Sequence, residues 1–259
     1  MATSKTKTVW YCSSCGNESP KWMGRCPACG EWNTMVEAPK ESASSARRSS
    51  GSAMLDGADR KAHHLKEIDY SNEARISLGL EEINRILGGG MVPGSLVLIG
   101  GEPGIGKSTL SLQIPLNCPG LKTLYVTGEE SAKQVKMRAQ RLGGDDSECF
   151  VFCETLTGNI IAEAERLHPD LMIVDSVQTM FADSVESSPG SVSQIKEVAS
   201  QLLRFAKESG IPVILIGHIT KDGYIAGPKI LEHIVDVVLQ FEGENRGSYR
   251  LLRSIKNRF

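Results

Sequence analysis

The segment Gly101-Glu102-Pro103-Gly104-Ile105-Gly106-Lys107-Ser108 fits G-x-x-x-x-G-K-[ST] at every fixed position. Residues 95–100, SLVLIG, precede it as a short apolar run of the kind that forms a buried strand. Residues 109–114, TLSLQI, can begin a helix. Strand, glycine-rich loop and helix, in that order, are the context that makes the pattern a phosphate-binding loop. Gly101, Gly104 and Gly106 let the backbone curl so that its N–H groups point at phosphate oxygens. The N-terminus of the new helix adds its partial positive charge there. Lys107 can reach β- and γ-phosphates, and the Ser108 hydroxyl can ligate Mg²⁺. A glycine-rich turn that binds nothing is the alternative, and the flanking strand and helix speak against it.

Outward from this loop the chain alternates between helical and strand patterns. Leu78, Leu80, Ile83, Ile86 and Leu87 recur at helical spacing, and Gly88, Gly89 and Gly90 stop that helix. Pro115 lies inside the expected phosphate-loop helix and predicts a kink or an end near it. Residues 121–127 (LKTLYVT) read as a second strand running into Gly128, Glu129, Glu130 and Ser131, with Ser131 placed to cap the next helix. Residues 150–152 predict a third strand, and 159–167 a helix. Residues 171–175, LMIVD, are four apolar residues ending in Asp175, the Walker B pattern. That strand should carry Asp175 to its carboxyl end beside the phosphate loop, where it can hold a Mg²⁺-bound water. Residues 181–193 predict an exposed loop, 195–209 an amphipathic helix, and 211–217 a buried strand ending in His218. The loop 220–229, TKDGYIAGPK, leads to two adjacent strands at 235–241 and 249–255. The pattern predicts an α/β fold, a mostly parallel sheet flanked by helices, with the ligand at the strands' carboxyl ends.

Toward the N-terminus stand two CxxCG turns, Cys12/Cys15 and Cys26/Cys29. Four thiolates from two facing turns suit one tetrahedral, structural Zn²⁺ with no open position. A redox CxxC is the competing reading, but one pair would suffice for that. Trp10, Tyr11, Trp22 and Trp32 crowd the module, either covering the metal site or stacking on bases or a partner; covering is favoured. The division expected is a zinc module over 1–37, a Ser/Ala/Gly-rich linker over 38–64, and a P-loop domain over 65–259. His63 and His64 read as solvated.

The chain has 259 residues, a net charge of −2 and seven cysteines. There is no overall basic field, so nucleic-acid contact would need a local patch. No run approaches the roughly 18 apolar residues of a membrane span, and no secretion signal stands at the start. The cysteine pattern suits a reducing cytoplasm, which is the expected location.

Beyond the P-loop, the segments LGGGMVPGS, GGEPGIGKST, LYVTGEES, LMIVDSVQT, SSPGSV, GHITKDG, AGPKILEH and KNRF, with the paired CxxC turns, resemble the RadA (Sms) family of bacterial DNA repair proteins. The resemblance covers both modules in order. It implies a RecA-like ATPase core with a zinc-ribbon-like module. It further implies hydrolysis of ATP to ADP and phosphate, coupled to single-stranded DNA and to branch migration of recombination intermediates. ATP, Mg²⁺ and one structural Zn²⁺ are the implied cofactors. Branched DNA, a recombinase or other repair proteins, and a homo-hexamer of the full-length protein are the implied partners, with no membrane. By position, the ATP contacts would be Gly101, Glu102, Pro103, Gly104, Ile105, Gly106, Lys107, Ser108, Thr109 and His218. Mg²⁺ would be held by Ser108 and Asp175. Glu129 would orient the attacking water, with Glu130 as its competitor. Lys256 and Arg258 would reach a neighbour's ATP site, and Lys221 and Lys229 would face DNA. The family continues with a glycine after the phenylalanine that ends this chain at Phe259, and carries a domain similar to the Lon protease domain that the sequence lacks. Two other readings stay open: a KaiC-type signalling ATPase without DNA dependence, and a non-hydrolysing, ATP-gated scaffold. A small-molecule phosphotransferase lacks an evident acceptor pocket.

Overall fold

The computed structural model describes residues 9–12, 18–19, 21–27, 30–38, 64, 66, 75–144, 147–218, 230–243 and 249–259. The expected linker, 38–64, lies outside them apart from its two ends. So do Cys15, Cys29, Lys221, Lys229 and the side chain of Tyr11.

Near the N-terminus, β1 (Val9–Cys12), β2 (Glu18–Ser19) and β3 (Met35–Ala38) form an antiparallel sheet of order β2-β1-β3. From residue 81 the elements alternate as expected. They are α1 (Glu81–Ile86), β4 (Leu96–Gly101), α2 (Lys107–Asn117), β5 (Thr123–Thr127), α3 (Ala132–Arg141), β6 (Cys149–Cys153), α4 (Thr157–Leu167) and β7 (Leu171–Asp175). Then follow α5 (Val192–Ser209), β8 (Val213–His218), α6 (Ile230–Ile234), β9 (Val237–Gly243) and β10 (Arg250–Asn257). The sheet order is β10-β9-β4-β8-β7-β5-β6. Its members run parallel except β10, which closes one edge antiparallel to β9.

The central strands are apolar runs because both of their faces are covered. Alternate residues divide between two cores. Leu96, Leu98, Leu124, Val126, Met172, Val174 and Leu215 pack with α4, α5 and α6 on one face. Val97, Ile99, Tyr125, Ile173 and Ile216 pack with α1, α2 and α3 on the other. The amphipathic pattern of α5 serves the first core through Ile195, Val198, Ala199, Leu202 and Ala206.

The phosphate-loop helix ends near Pro115 as expected: α2 runs through the proline to Asn117 and stops at Cys118. Two local readings are revised. Residues 181–193 are not wholly exposed. Ala182 is buried, and the buried Gln194 side chain donates to the carbonyls of Ala182, Val185 and Ser187 while accepting from Ala182 N–H at 2.8 Å. The five-residue α6, placed directly before β9, was not foreseen. The Ser131 cap forms as a capping box, with Gln134 Oε1 accepting from Ser131 N–H at 2.8 Å.

Candidate functional site

Two pairs of strand ends lie at the carboxyl edge of the sheet, with β7 stopping short of the end of β8 because Val174 pairs with Leu215. Gly101 of β4 pairs with His218 of β8, and Thr127 of β5 pairs with Asp175 of β7. The phosphate loop leaves β4 there. Gly101 passes so close to β9 that a Cβ on it would stand 2.7 Å from the Phe241 carbonyl oxygen. Gly106 caps α2 with φ 109°, a left-handed conformation that favours glycine. A glycine cap brings no side-chain acceptor, so the N–H groups of the first helical turn stay available to an anion.

Lys107 begins α2 and is 4% exposed. Its Nζ donates to the carbonyls of Gly101 at 2.8 Å and Glu102 at 2.9 Å. Burial pushes the ammonium pKa down, and the carboxylates of Asp175 and Glu129 oppose that shift. The lysine therefore lies folded against its own loop, with two carboxylates near enough to act on its charge.

Asp175 is buried, and its Oδ2 accepts a 2.6 Å hydrogen bond from the Tyr125 hydroxyl. Burial, followed by the charge and hydrogen bond of Asp175, holds the Tyr125 phenol well above its ordinary pKa, so it stays a donor. Arg138 of α3 donates to the Tyr125 oxygen at 3.5 Å and makes a close ion pair with Glu130.

The two adjacent carboxylates are thereby separated. Glu130 faces α3 through Arg138. Glu129 Oε1 accepts from Ser176 Oγ at 2.6 Å and lies 3.5 Å from His218 Nε2. Thr127 Oγ1 shapes the turn between them by accepting from the N–H groups of Glu129 (3.3 Å) and Glu130 (3.1 Å). Gly128 is required at its corner, because a Cβ there would stand 2.4 Å from Thr179 Oγ1. A cleft of about 250 Å³ opens beside this turn, lined by residues 127–130 and 153–155. Ser108 and Thr109 follow Lys107 in the first turn of α2. Glu102, Pro103, Gly104 and Ile105 form the loop between β4 and Gly106.

Lys256 and Arg258 stand elsewhere. β10 runs antiparallel, so its end returns to the amino-terminal edge of the sheet. Lys256 Nζ donates to the carbonyls of Glu232 (2.6 Å) and Val235 (2.7 Å) at the end of α6. Arg258 donates to His233 O and pairs with the buried Asp236 at 3.6 Å. By strand rise they are roughly 15 Å from the phosphate loop of their own chain. Sequence reasoning missed Tyr125, Thr127, Ser176 and Arg138 as site residues. A tyrosine amid the apolar residues of a buried strand was the available signal for the first.

In the small module, Cys12 and Cys26 are each 1% exposed and share one cluster with Met35, against which Trp10 packs. Gly30 N–H donates to Cys26 O at 2.9 Å. Two buried sulfurs brought into one cluster fit half of a four-thiolate zinc site. Trp22 and Trp32 do not cover it: they are 55% and 70% exposed, against the expectation that favoured covering the metal. Purified protein should carry about one zinc per chain, and Cys12→Ser should bring this near zero by atomic absorption. Finding no zinc in freshly purified protein would contradict the assignment.

Residues 10–37 match the family described as rubredoxin metal binding domain, and residues 62–224 match the family described as AAA domain. The DNA repair protein RadA of Bacillus subtilis is 49% identical over 257 residues, covering 98% of this chain and 56% of that protein. The RadA proteins of Pseudomonas aeruginosa and Chlamydia muridarum are 48% and 49% identical, with the same 56% of their length covered. The chain thus spans about half the length of the curated relatives it matches. Among solved structures, a KaiC-like protein from Pyrococcus horikoshii shares the fold, with a TM-score of 0.58, 21% identity, and coverage of 71% of this chain and 89% of that one. The chain belongs to the AAA domain family and is a relative of the bacterial DNA repair protein RadA.

Proposed function

We propose that this chain hydrolyses ATP to ADP and phosphate at residues 101–109, and that single-stranded DNA stimulates the turnover during recombinational repair. The observation that carries the reading is the separation of Glu129 from Glu130. Glu129 is held by Ser176 and faces His218 at the carboxyl edge of the sheet, whereas Glu130 is engaged by Arg138. The backbone N–H groups of the loop and Lys107 bind the β- and γ-phosphates. Ser108 and Asp175 would hold Mg²⁺, which neutralises phosphate charge when bound. Glu129 accepts a hydrogen bond from the attacking water and aligns it in line with the γ-phosphate. Ser176 restricts the carboxylate to that direction, and His218 responds to the γ-phosphate.

Lys256 and Arg258 cannot serve the ATP site of their own subunit from the far edge of the sheet. In this reading they act on a neighbouring subunit in a ring, a hexamer for the full-length protein. Lys221 and Lys229, which lie outside the described residues, contact the DNA backbone. Branched recombination intermediates and a recombinase or other repair protein are the proposed partners, and the zinc module is a contact point. Among the described residues no helix is long and apolar enough to cross a membrane.

Phosphate release and ADP formation should be equal in amount and should cease when Mg²⁺ is withheld. ATP binding with negligible turnover would instead mean a nucleotide-gated scaffold. Turnover indifferent to DNA would mean a KaiC-type signalling ATPase. The likeness to the KaiC-like structure bears on the fold alone and favours neither.

A further inference from the structure

The chain has three tryptophans, Trp10, Trp22 and Trp32, all in the zinc module. Trp10 packs against the buried cysteines; the other two face water. They do so together. Asn33 N–H donates to Gly24 O at 2.8 Å and Cys26 N–H donates to Glu31 O at 2.9 Å, so residues 24–26 lie against 31–33 with Arg25 paired across from Trp32. A Cβ on Gly24 would lie 3.7 Å from the Trp22 ring and 3.8 Å from the Trp32 ring. The two indoles therefore border one glycine and form a continuous surface.

Leaving two indoles in water forgoes a large apolar burial, and such a patch on a small module marks a contact surface. Its charge names the partner. The Arg25 guanidinium lies 5.9 Å from the Trp32 ring centroid, and its Nε is fixed by a 2.7 Å bond to Gly30 O. Lys21 is exposed next to Trp22. Residues 1–37 hold four Lys and Arg against three Glu, a slight positive excess in a chain whose net charge is −2. Flat aromatic faces set among cations suit unpaired bases joined by phosphates, since stacking takes the base while Lys and Arg take the backbone. A duplex hides its base faces and offers only the ionic part.

We propose that Trp22 and Trp32, with Lys21 and Arg25, form a stacking platform for single-stranded DNA on the zinc module. The choice of DNA rests on the proposed function. The platform adds a contact independent of Lys221 and Lys229.

The test uses the tryptophans themselves, because the P-loop domain has none to confuse the signal. The whole zinc-loaded chain is titrated without ATP with an oligothymidylate of about 20 nucleotides. Indole emission is expected to be quenched. Trp22→Ala and Trp32→Ala should each weaken binding about tenfold by fluorescence anisotropy of the labelled oligomer. Trp22→Tyr and Trp32→Tyr should restore most of it, separating stacking from folding. Equal quenching by inorganic polyphosphate, or Ala variants that bind as tightly as the unchanged chain, would overturn the platform. Tighter binding of oligouridylate would overturn DNA as its ligand. DNA-stimulated ATP turnover without quenching would refute the platform and leave the proposed function standing. Quenching without stimulation would support the platform and count against DNA-coupled turnover.

Discussion

Glu129→Gln should bind ATP as the unchanged chain does and hydrolyse it at least about 100-fold more slowly. The amide keeps the shape of the side chain and can still meet Ser176 Oγ, which now donates to Glu129 Oε1 at 2.6 Å. It loses the charge that polarises the attacking water. In the proposed site Lys107 and the loop N–H groups hold the phosphates separately, so affinity by calorimetry should change little. Glu130→Gln is the matched control. Its carboxylate pairs with Arg138, which also donates to the Tyr125 hydroxyl that in turn donates to Asp175. Losing that pair loosens the support behind Asp175 and should lower turnover only a few-fold. If Glu130→Gln were the inactive variant and Glu129→Gln the active one, the carboxylates would have been assigned in the wrong order.

Lys107→Ala should weaken ATP binding by between about tenfold and 100-fold, the range expected for losing charge-assisted hydrogen bonds to phosphate. Turnover should fall further, since the ammonium also stabilises charge on the transferring group. The side chain is buried and donates to Gly101 O and Glu102 O. Its removal therefore also leaves two loop carbonyls without that donor. Near-native circular dichroism with lost nucleotide binding would place the defect at the phosphates. Unchanged ATP affinity would count against this loop as the nucleotide site.

Much of the fold is legible because its physics is local. Buried parallel strands read as apolar runs, and β4, β5, β7 and β8 could be placed from residues 95–100, 121–127, 171–175 and 211–217. The phosphate loop needed only its spacing and flanks. What the sequence could not show depends on residues far apart in the chain. Glu129 and Glu130 are neighbours of one type, and what divides them is a serine 47 residues away from Glu129 and an arginine within the following helix α3. Tyr125 gains its role only when β5 lies beside β7 in the register that levels Thr127 with Asp175. The position of Lys256 and Arg258 follows from the antiparallel return of β10 and its register shift between Ser254 and Lys256. At five residues, α6 is too short for a helical period to show. The exposure of Trp22 and Trp32 reflects a module too small to enclose three indoles around two buried cysteines.

If nucleotide chemistry at this P-loop answers to single-stranded DNA, steady-state phosphate release by the unchanged chain should show it, measured with and without oligothymidylate at about 50 and 200 mM salt. The rate should rise with DNA at low salt and lose most of that rise at the higher salt. A measurable rate that is identical with and without DNA at both salts would contradict that dependence.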